Sequence, residues 1–507
     1  MFRLKLFAAG LGLLAALQTV APPGNAQTPT DAEVRALIGA RITKNAAKGI
    51  AVALISPNGA TRIIGVGKSG NSQRPVVDGD TIFEVGSITK TFTGTMLAQM
   101  VSEGRLSLDD TVRRYAPKGL VLRQPGIGDV TLRQLASHTS GLPRLPMDLS
   151  MAASMLRDLR DPYAHYDADS LWRFVATTAH DPAKTYPPNY SNLGMGLLGE
   201  ILALREGTDF ATLVSRRILV PLAMNTSGIA TAPAAVANLA RGHSDSLAAT
   251  PFWQITALPG AGAIRSSANE MALYIKAQRD QTINGARDAQ AGLADMSKAT
   301  RVGLAWMTTS KHDDQIVWHN GGTGGFRSFA GFSKISGWGV VVLANSTFSV
   351  DDIGLHLLNS KFELGTDPRE VGWVGIIVWV ALLIAIFGGL YRLRIRPIET
   401  PVQAPIQTPT GRWMGKPKVI ACRWDAVWFV AHIGTIAMVT YYFSPWYWVG
   451  ETVRNLVLLA AVLGVVHLIW RARSLPWPFK RPPADRSMVY FERVILALML
   501  TYLMMIF

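Results

Sequence analysis

The stretch FEVGSITKTFTG, residues 83–94, sets a serine and a lysine three positions apart where apolar residues begin to recur at helical spacing. An isolated Ser-x-x-Lys arises by chance on the order of once or twice in a chain this long. Its context gives it weight. Residues three apart share a helix face, so Lys90 can reach the Ser87 hydroxyl. The start of a helix also favours negative charge developing there. A serine is a weak nucleophile until a base takes its proton. A lysine can be that base only if burial or nearby positive charge lowers its pKa.

Outward from this stretch, ITKTFTGTMLAQMVSE (88–103) predicts a helix that Gly104 can end. Upstream, IAVALISPNGATRIIGVG (50–67) predicts a hairpin turning at Pro57-Asn58-Gly59. The middle of the chain is mainly helical patterns and Pro/Gly-rich loops. There SANEM (267–271) has the form of a capping box. Strand patterns return at 302–310, 314–320, 326–334 and 338–346. Strands from both ends of the segment with helices between them predict an α+β fold, one sheet carrying a helical subdomain.

Two further elements carry polar groups suited to chemistry. NYSNLGMGLLGE (189–200) places Tyr190 and Asn192 around Ser191. A loop tyrosine serves as readily in a core. VWHNGGTGGFRSF (317–329) puts His319 just ahead of Gly321, Gly322 and a second glycine pair, where backbone can approach a ligand closely. A phosphate-binding loop would need a following Lys-Ser/Thr, which is missing.

The chain has 507 residues, net charge +15 and one cysteine, Cys422. Residues 1–26 have Arg3 and Lys5, an apolar run and small residues at Gly24-Asn25-Ala26, the layout of a signal peptide. Residues 27–370 contain no cysteine, so this expected exported domain must rely on its core rather than on disulfides. Beyond Val371 lie four apolar stretches, 373–390, 427–443, 453–470 and 488–507, each about the length of a membrane span. Basic residues crowd the loops after the first and third stretches, while the loop SPWYWVGET has none. That asymmetry predicts the first span running from outside to inside, with 27–370 on the outer face. Residues 371–507 hold 14 Lys or Arg against 5 Asp or Glu, so the membrane segment carries much of the charge and no nucleic-acid partner is implied.

SITK, YSN and HNG, in this order, resemble the three signatures of the serine β-lactamase and penicillin-binding-protein family, in its class C-like branch. TLRQLASHTSGLPR (131–144), PLAMNTS (221–227) and LPGAGAIRSSANEMA (258–272) resemble further landmarks of that branch. The resemblance spans roughly 32–365. It implies Ser87 as the acylated nucleophile, Lys90 as its partner and Tyr190 as a second base or proton shuttle. It implies Asn192 against the substrate amide, and backbone N–H groups of Ser87 and Gly322 as the oxyanion hole. His319, with Gly321 and Gly322 as further substrate-binding residues, stands where true β-lactamases carry a lysine. An imidazole with an ordinary pKa is mostly uncharged at neutral pH, so carboxylate-bearing β-lactams are expected to turn over slowly.

An exported domain of this kind followed by spans resembles prodrug-activating peptidases of the colibactin-maturation type. The reading that follows is a serine peptidase for D-amino-acid-containing substrates, held in the bacterial inner membrane with its catalytic domain in the periplasm. An esterase, a β-lactamase and a β-lactam-sensing receptor stay open. The expected partners are a small-molecule or peptide substrate and the lipid bilayer. No metal or cofactor is implied, and nothing in the sequence sets an oligomeric state.

Overall fold

The computed structural model describes residues 29–365 apart from 159, 182 and 230–237, and beyond these only 394–395, 419–420 and 466. The expected leader and all but one residue of the four expected spans lie outside the described residues. Among the described residues no helix is long and apolar enough to cross a membrane.

The chain builds one eight-stranded antiparallel sheet. Its strands are β1 (Gly49–Ile55), β2 (Thr61–Gly67), β5 (Ala294–Asp295), β6 (Thr300–Val302), β7 (Met307–Lys311), β8 (Asp314–Gly322), β9 (Arg327–Ser333) and β10 (Gly339–Ala344). A separate two-stranded ribbon pairs β3 (Ile82–Glu84) with β4 (Arg265–Ser267). The sheet order is β2-β1-β10-β9-β8-β7-β6-β5. The N-terminal hairpin therefore sits beside the last strand, with Val52 opposite Val342. Every residue of β1 is buried because both faces of the sheet are covered, which is why it reads as a continuous apolar run. Ile50, Val52 and Leu54 pack with Val34 and Ile38 of the N-terminal helix Asp31–Thr43. Ala51, Ala53 and Ile55 face the larger core beneath the other helices.

Helix Thr89–Ser102 runs through that larger core and is buried along nearly its whole length. Phe92 stacks on Tyr274 with ring centroids 3.8 Å apart, fixing it against helix Ala268–Arg279. The threonines that make it look amphipathic are satisfied internally: Thr91 accepts from the Tyr274 hydroxyl and Thr95 from the Gln278 amide. Helix Asn192–Glu206 lies across the short helix Pro259–Gly262, and a Cβ on Gly199 would sit 2.8 Å from Gly260 Cα. Only glycines permit that approach, which brings the carbonyl of Ala261 to Lys90.

Two expected local features differ. The strand expected at 302–310 is split, because residues 303–306 leave the sheet. Gly303 N–H turns back to the Trp306 carbonyl, while Leu304 and Ala305 donate to Ala289 and Ala136. Burying Leu304 against Gly94 of helix Thr89–Ser102, and Trp306 against Tyr274 and Phe332, outweighs a continued ladder. The capping box at 267–271 is half formed. Ser267 accepts from Glu270 N–H, but the Glu270 carboxylate accepts from Thr226 N–H at 2.8 Å and from the Ser227 hydroxyl.

Candidate active site

Ser87 lies in a 3-10 turn, Gly86–Ile88, and Lys90 in the first turn of the helix that follows. The turn is held against β8. Gly86 has φ +52°, and a Cβ there would sit 2.7 Å from the Gly322 nitrogen. A Cβ on Gly321 would overlap the Val85 carbonyl, which accepts the Ser328 hydroxyl at 2.8 Å. The HNGG glycines thus lie within strand β8, paired with Arg327 and Ser328, rather than in a loop beyond it. They let the serine turn touch the strand edge.

Lys90 Nζ lies 2.9 Å from Ser87 Oγ and 2.6 Å from the Ala261 carbonyl. The side chain is fully buried. Burial first, and the Arg144 charge second, hold its pKa well below the usual lysine range. A neutral amine has a lone pair. With one N–H on Ala261, that lone pair can accept the Ser87 proton.

Tyr190 is also within hydrogen-bonding reach of Ser87. Burial pushes its pKa well up, with opposing contributions from Ser87 and Arg144. It is therefore a phenol at neutral pH and a proton donor rather than a standing base. Lys90 Nζ lies 4.8 Å from its ring centroid. Ser191, between the two motif residues, is structural: it caps helix Asn192–Glu206 and donates to the Pro143 carbonyl at 2.7 Å. Asn192 donates to the Tyr163 hydroxyl at 3.1 Å, and its Oδ1 is buried without a partner. The atom it has left for a substrate is an acceptor.

His319 differs from expectation. It is fully buried, and burial, then the nearby Lys90, depress its pKa to about 3. Its Nδ1 lies 2.5 Å from the Asn320 carbonyl, so Nδ1 must carry the proton. His319 is therefore neutral through the physiological range, and its unpartnered Nε2 is an acceptor. An ordinary imidazole that titrates near neutral pH is not what this position holds.

Several site residues were not singled out from sequence. His138 is buried with φ +59°, accepts from Ser191 N–H at 3.2 Å and lies 4.8 Å from the Tyr190 ring. Arg144 sets its guanidinium 5.2 Å from the centroid of the same Tyr190 ring. Both belong to the 131–144 stretch, whose pattern marked a landmark without assigning roles. Glu84 accepts from the Thr323 hydroxyl and from Trp253 N–H, and faces Arg265 at 3.5 Å. Among the described residues no group of three or more His, Cys, Asp or Glu side chains could hold a metal ion.

The β-lactamase family model matches residues 34–359. The chain belongs to the β-lactamase family. It is 26% identical over 302 residues to the D-alanyl-D-alanine-carboxypeptidase/endopeptidase AmpH of Escherichia coli strain K12, covering 56% of this chain and 75% of that protein. It is 24% identical to a β-lactamase of Pseudomonas fluorescens, covering 59% and 89%. In fold it resembles a class C β-lactamase from Rhodobacter sphaeroides, with a TM-score of 0.55 and 23% identity over 65% of this chain and 98% of that one. A β-lactamase/D-alanine carboxypeptidase from Pseudomonas syringae gives 0.56 at 19% identity, over 65% and 98%. Family and fold together make this chain a serine hydrolase of the α+β β-lactamase type.

Proposed function

We propose that this β-lactamase-family protein is a membrane-anchored periplasmic peptidase that acts through an acyl-enzyme on Ser87, with D-amino-acid-containing peptides or D-amino-acid-capped prodrug-like molecules as substrates. The observation that carries the chemistry is the fully buried Lys90, its pKa held well below the usual lysine range, 2.9 Å from Ser87 Oγ. Lys90 takes the Ser87 proton as Oγ bonds to the substrate carbonyl carbon. The carbonyl oxygen becomes an oxyanion and is stabilised by the backbone N–H groups of Ser87 and Gly322. Tyr190 passes a proton to the leaving nitrogen, the C–N bond breaks, and the Lys90 ammonium reprotonates Tyr190. Water then attacks the acyl-enzyme with the same groups in reverse order, freeing the acid and Ser87. Asn192 Oδ1 accepts from a substrate amide N–H, and His319, Gly321 and Gly322 line the strand edge.

The peptidase reading is supported by the D-alanyl-D-alanine-carboxypeptidase among the relatives. The β-lactamases among the relatives, at similar identity, favour the second reading, β-lactam hydrolysis. Residues 27–370 are proposed as the catalytic domain, with 1–26 as leader and 371–507 as the anchor in the inner membrane. A serine-directed covalent probe, applied to full-length protein beside D-aminoacyl, ester and β-lactam substrates, tests the reading. Labelling at Ser87 with fastest turnover of D-aminoacyl amides is the expected result. Labelling that persists without turnover would favour a receptor instead.

A further inference from the structure

Arg144 is a cation without a counter-ion beside the reacting serine. Its backbone is clamped, because its carbonyl accepts from Asn192 and Leu193 N–H at 3.0 and 3.1 Å and the preceding Pro143 carbonyl is held by Ser191. Its Nε is buried with no partner, while the side chain as a whole is only half-buried. Among the described residues no carboxylate lies within ion-pair distance of it. The charges that do act on its surroundings are alike or absent: Lys90, the neutral His138 and Arg327 all feel Arg144 as a repulsive neighbour. Arg327, by contrast, is satisfied by the Thr323 and Phe326 carbonyls, each at 2.9 Å, and by the nearby Asp351. With its Nε unpartnered and no carboxylate in reach, the guanidinium has donors left for an anion. A planar fork of donors matches a carboxylate.

We propose that Arg144 is the carboxylate-recognition residue of this site, so that the preferred substrates carry a carboxylate near the scissile bond even though His319 supplies no charge. This rests on the hydrolase reading above and narrows its substrate class. The fixed cation comes from the 138–144 loop instead of from β8.

The test uses full-length protein and two matched substrate pairs. One pair ends in a free carboxylate or its amide on the leaving side; the other carries the same change on the acyl side. In wild type, kcat/KM for the acid of one pair should exceed that for its amide and fall with added salt. In Arg144→Met and in the length-conserving Arg144→Gln, that acid-to-amide ratio should drop at least ~10-fold, mainly through KM. Arg144→Lys should restore part of it. Which pair responds tells whether the carboxylate sits in the leaving group or the acyl part. Ratios unchanged within about twofold for both pairs, or an equal loss on acid and amide, would overturn the proposal. The rate of Ser87 labelling by an uncharged serine-directed probe is read in parallel. If wild type fails to label, the hydrolase reading itself falls. If wild type labels and the ratios do not respond, only the role of Arg144 falls.

Discussion

The Thr323 hydroxyl donates to the Glu84 carboxylate at 2.7 Å, joining the residue after Gly322 to one three positions before Ser87. The same carboxylate accepts from Trp253 N–H at 2.9 Å and faces the buried Arg265. It is a strut between the nucleophile turn and the strand edge of the proposed oxyanion hole.

Burial, partly offset by Thr323, Arg265 and Trp253, raises the Glu84 pKa to about 7. A carboxyl with a raised folded pKa holds its proton in the fold and loses it in the unfolded chain. Its contribution to stability is therefore full below the unfolded value and declines as pH rises toward 7. Glu84→Gln should flatten that part of the pH dependence of Tm. Glu84→Ala should lower stability by roughly 3–5 kcal/mol, since the buried ion pair with Arg265 is broken. Thermal melts from pH 4.5 to 8 check both, and an unchanged slope in Glu84→Gln would assign the raised pKa elsewhere.

Ser87→Ala should abolish covalent labelling. Lys90→Met and Tyr190→Phe should each slow acylation by at least ~10²-fold. Lys90 also makes a signed prediction for stability. A lysine neutral in the fold and charged when unfolded gives up a proton on folding, so its contribution to stability grows as pH rises toward the unfolded value. Lys90→Met should remove that rise in the alkaline limb of Tm against pH while lowering activity. Full activity in this variant would take Lys90 out of the mechanism.

His319, with a pKa of about 3, stays neutral from pH 5.5 to 8. His319→Gln should lower kcat/KM yet leave the midpoint of its pH profile in that window where it was. A midpoint that disappears with the substitution would show that His319 titrates there after all.

Gly321→Ala places a methyl against the Val85 carbonyl and Ser328 Oγ. The strand must move off the serine turn, and a displacement near 1 Å can cost ~10²-fold. Labelling should fall on that scale while the far-UV circular dichroism of the protein persists. Wild-type labelling in a folded Gly321→Ala protein would show that close approach of β8 is not needed.

The local relations were legible in the sequence because they follow from periodicity. Ser87 and Lys90 share a face at a spacing of three, the 50–67 hairpin follows from its alternating runs and turn, and the strands at both ends foretold one sheet. The break at 303–306 was not legible, since only tertiary packing, of Leu304 on Gly94 and of Trp306 on Tyr274 and Phe332, pulls them out of register. The decisive site contacts are longer still. Ala261 reaches Lys90 across 171 positions, and Thr323 reaches Glu84 across 239. Those partners are a backbone carbonyl and an ordinary threonine, which no local pattern marks.

By itself, then, the sequence determined which residue types stand ready for chemistry, because spacing along helix and strand is a local property of the chain. Tertiary structure decided their protonation. Burial holds the Lys90 pKa well below the usual lysine range, keeps Tyr190 a phenol and His319 a neutral acceptor, and tertiary packing sets Arg144 beside the Tyr190 ring. Desolvation and through-space charge have no signature in linear order; they exist only once distant segments close around the site.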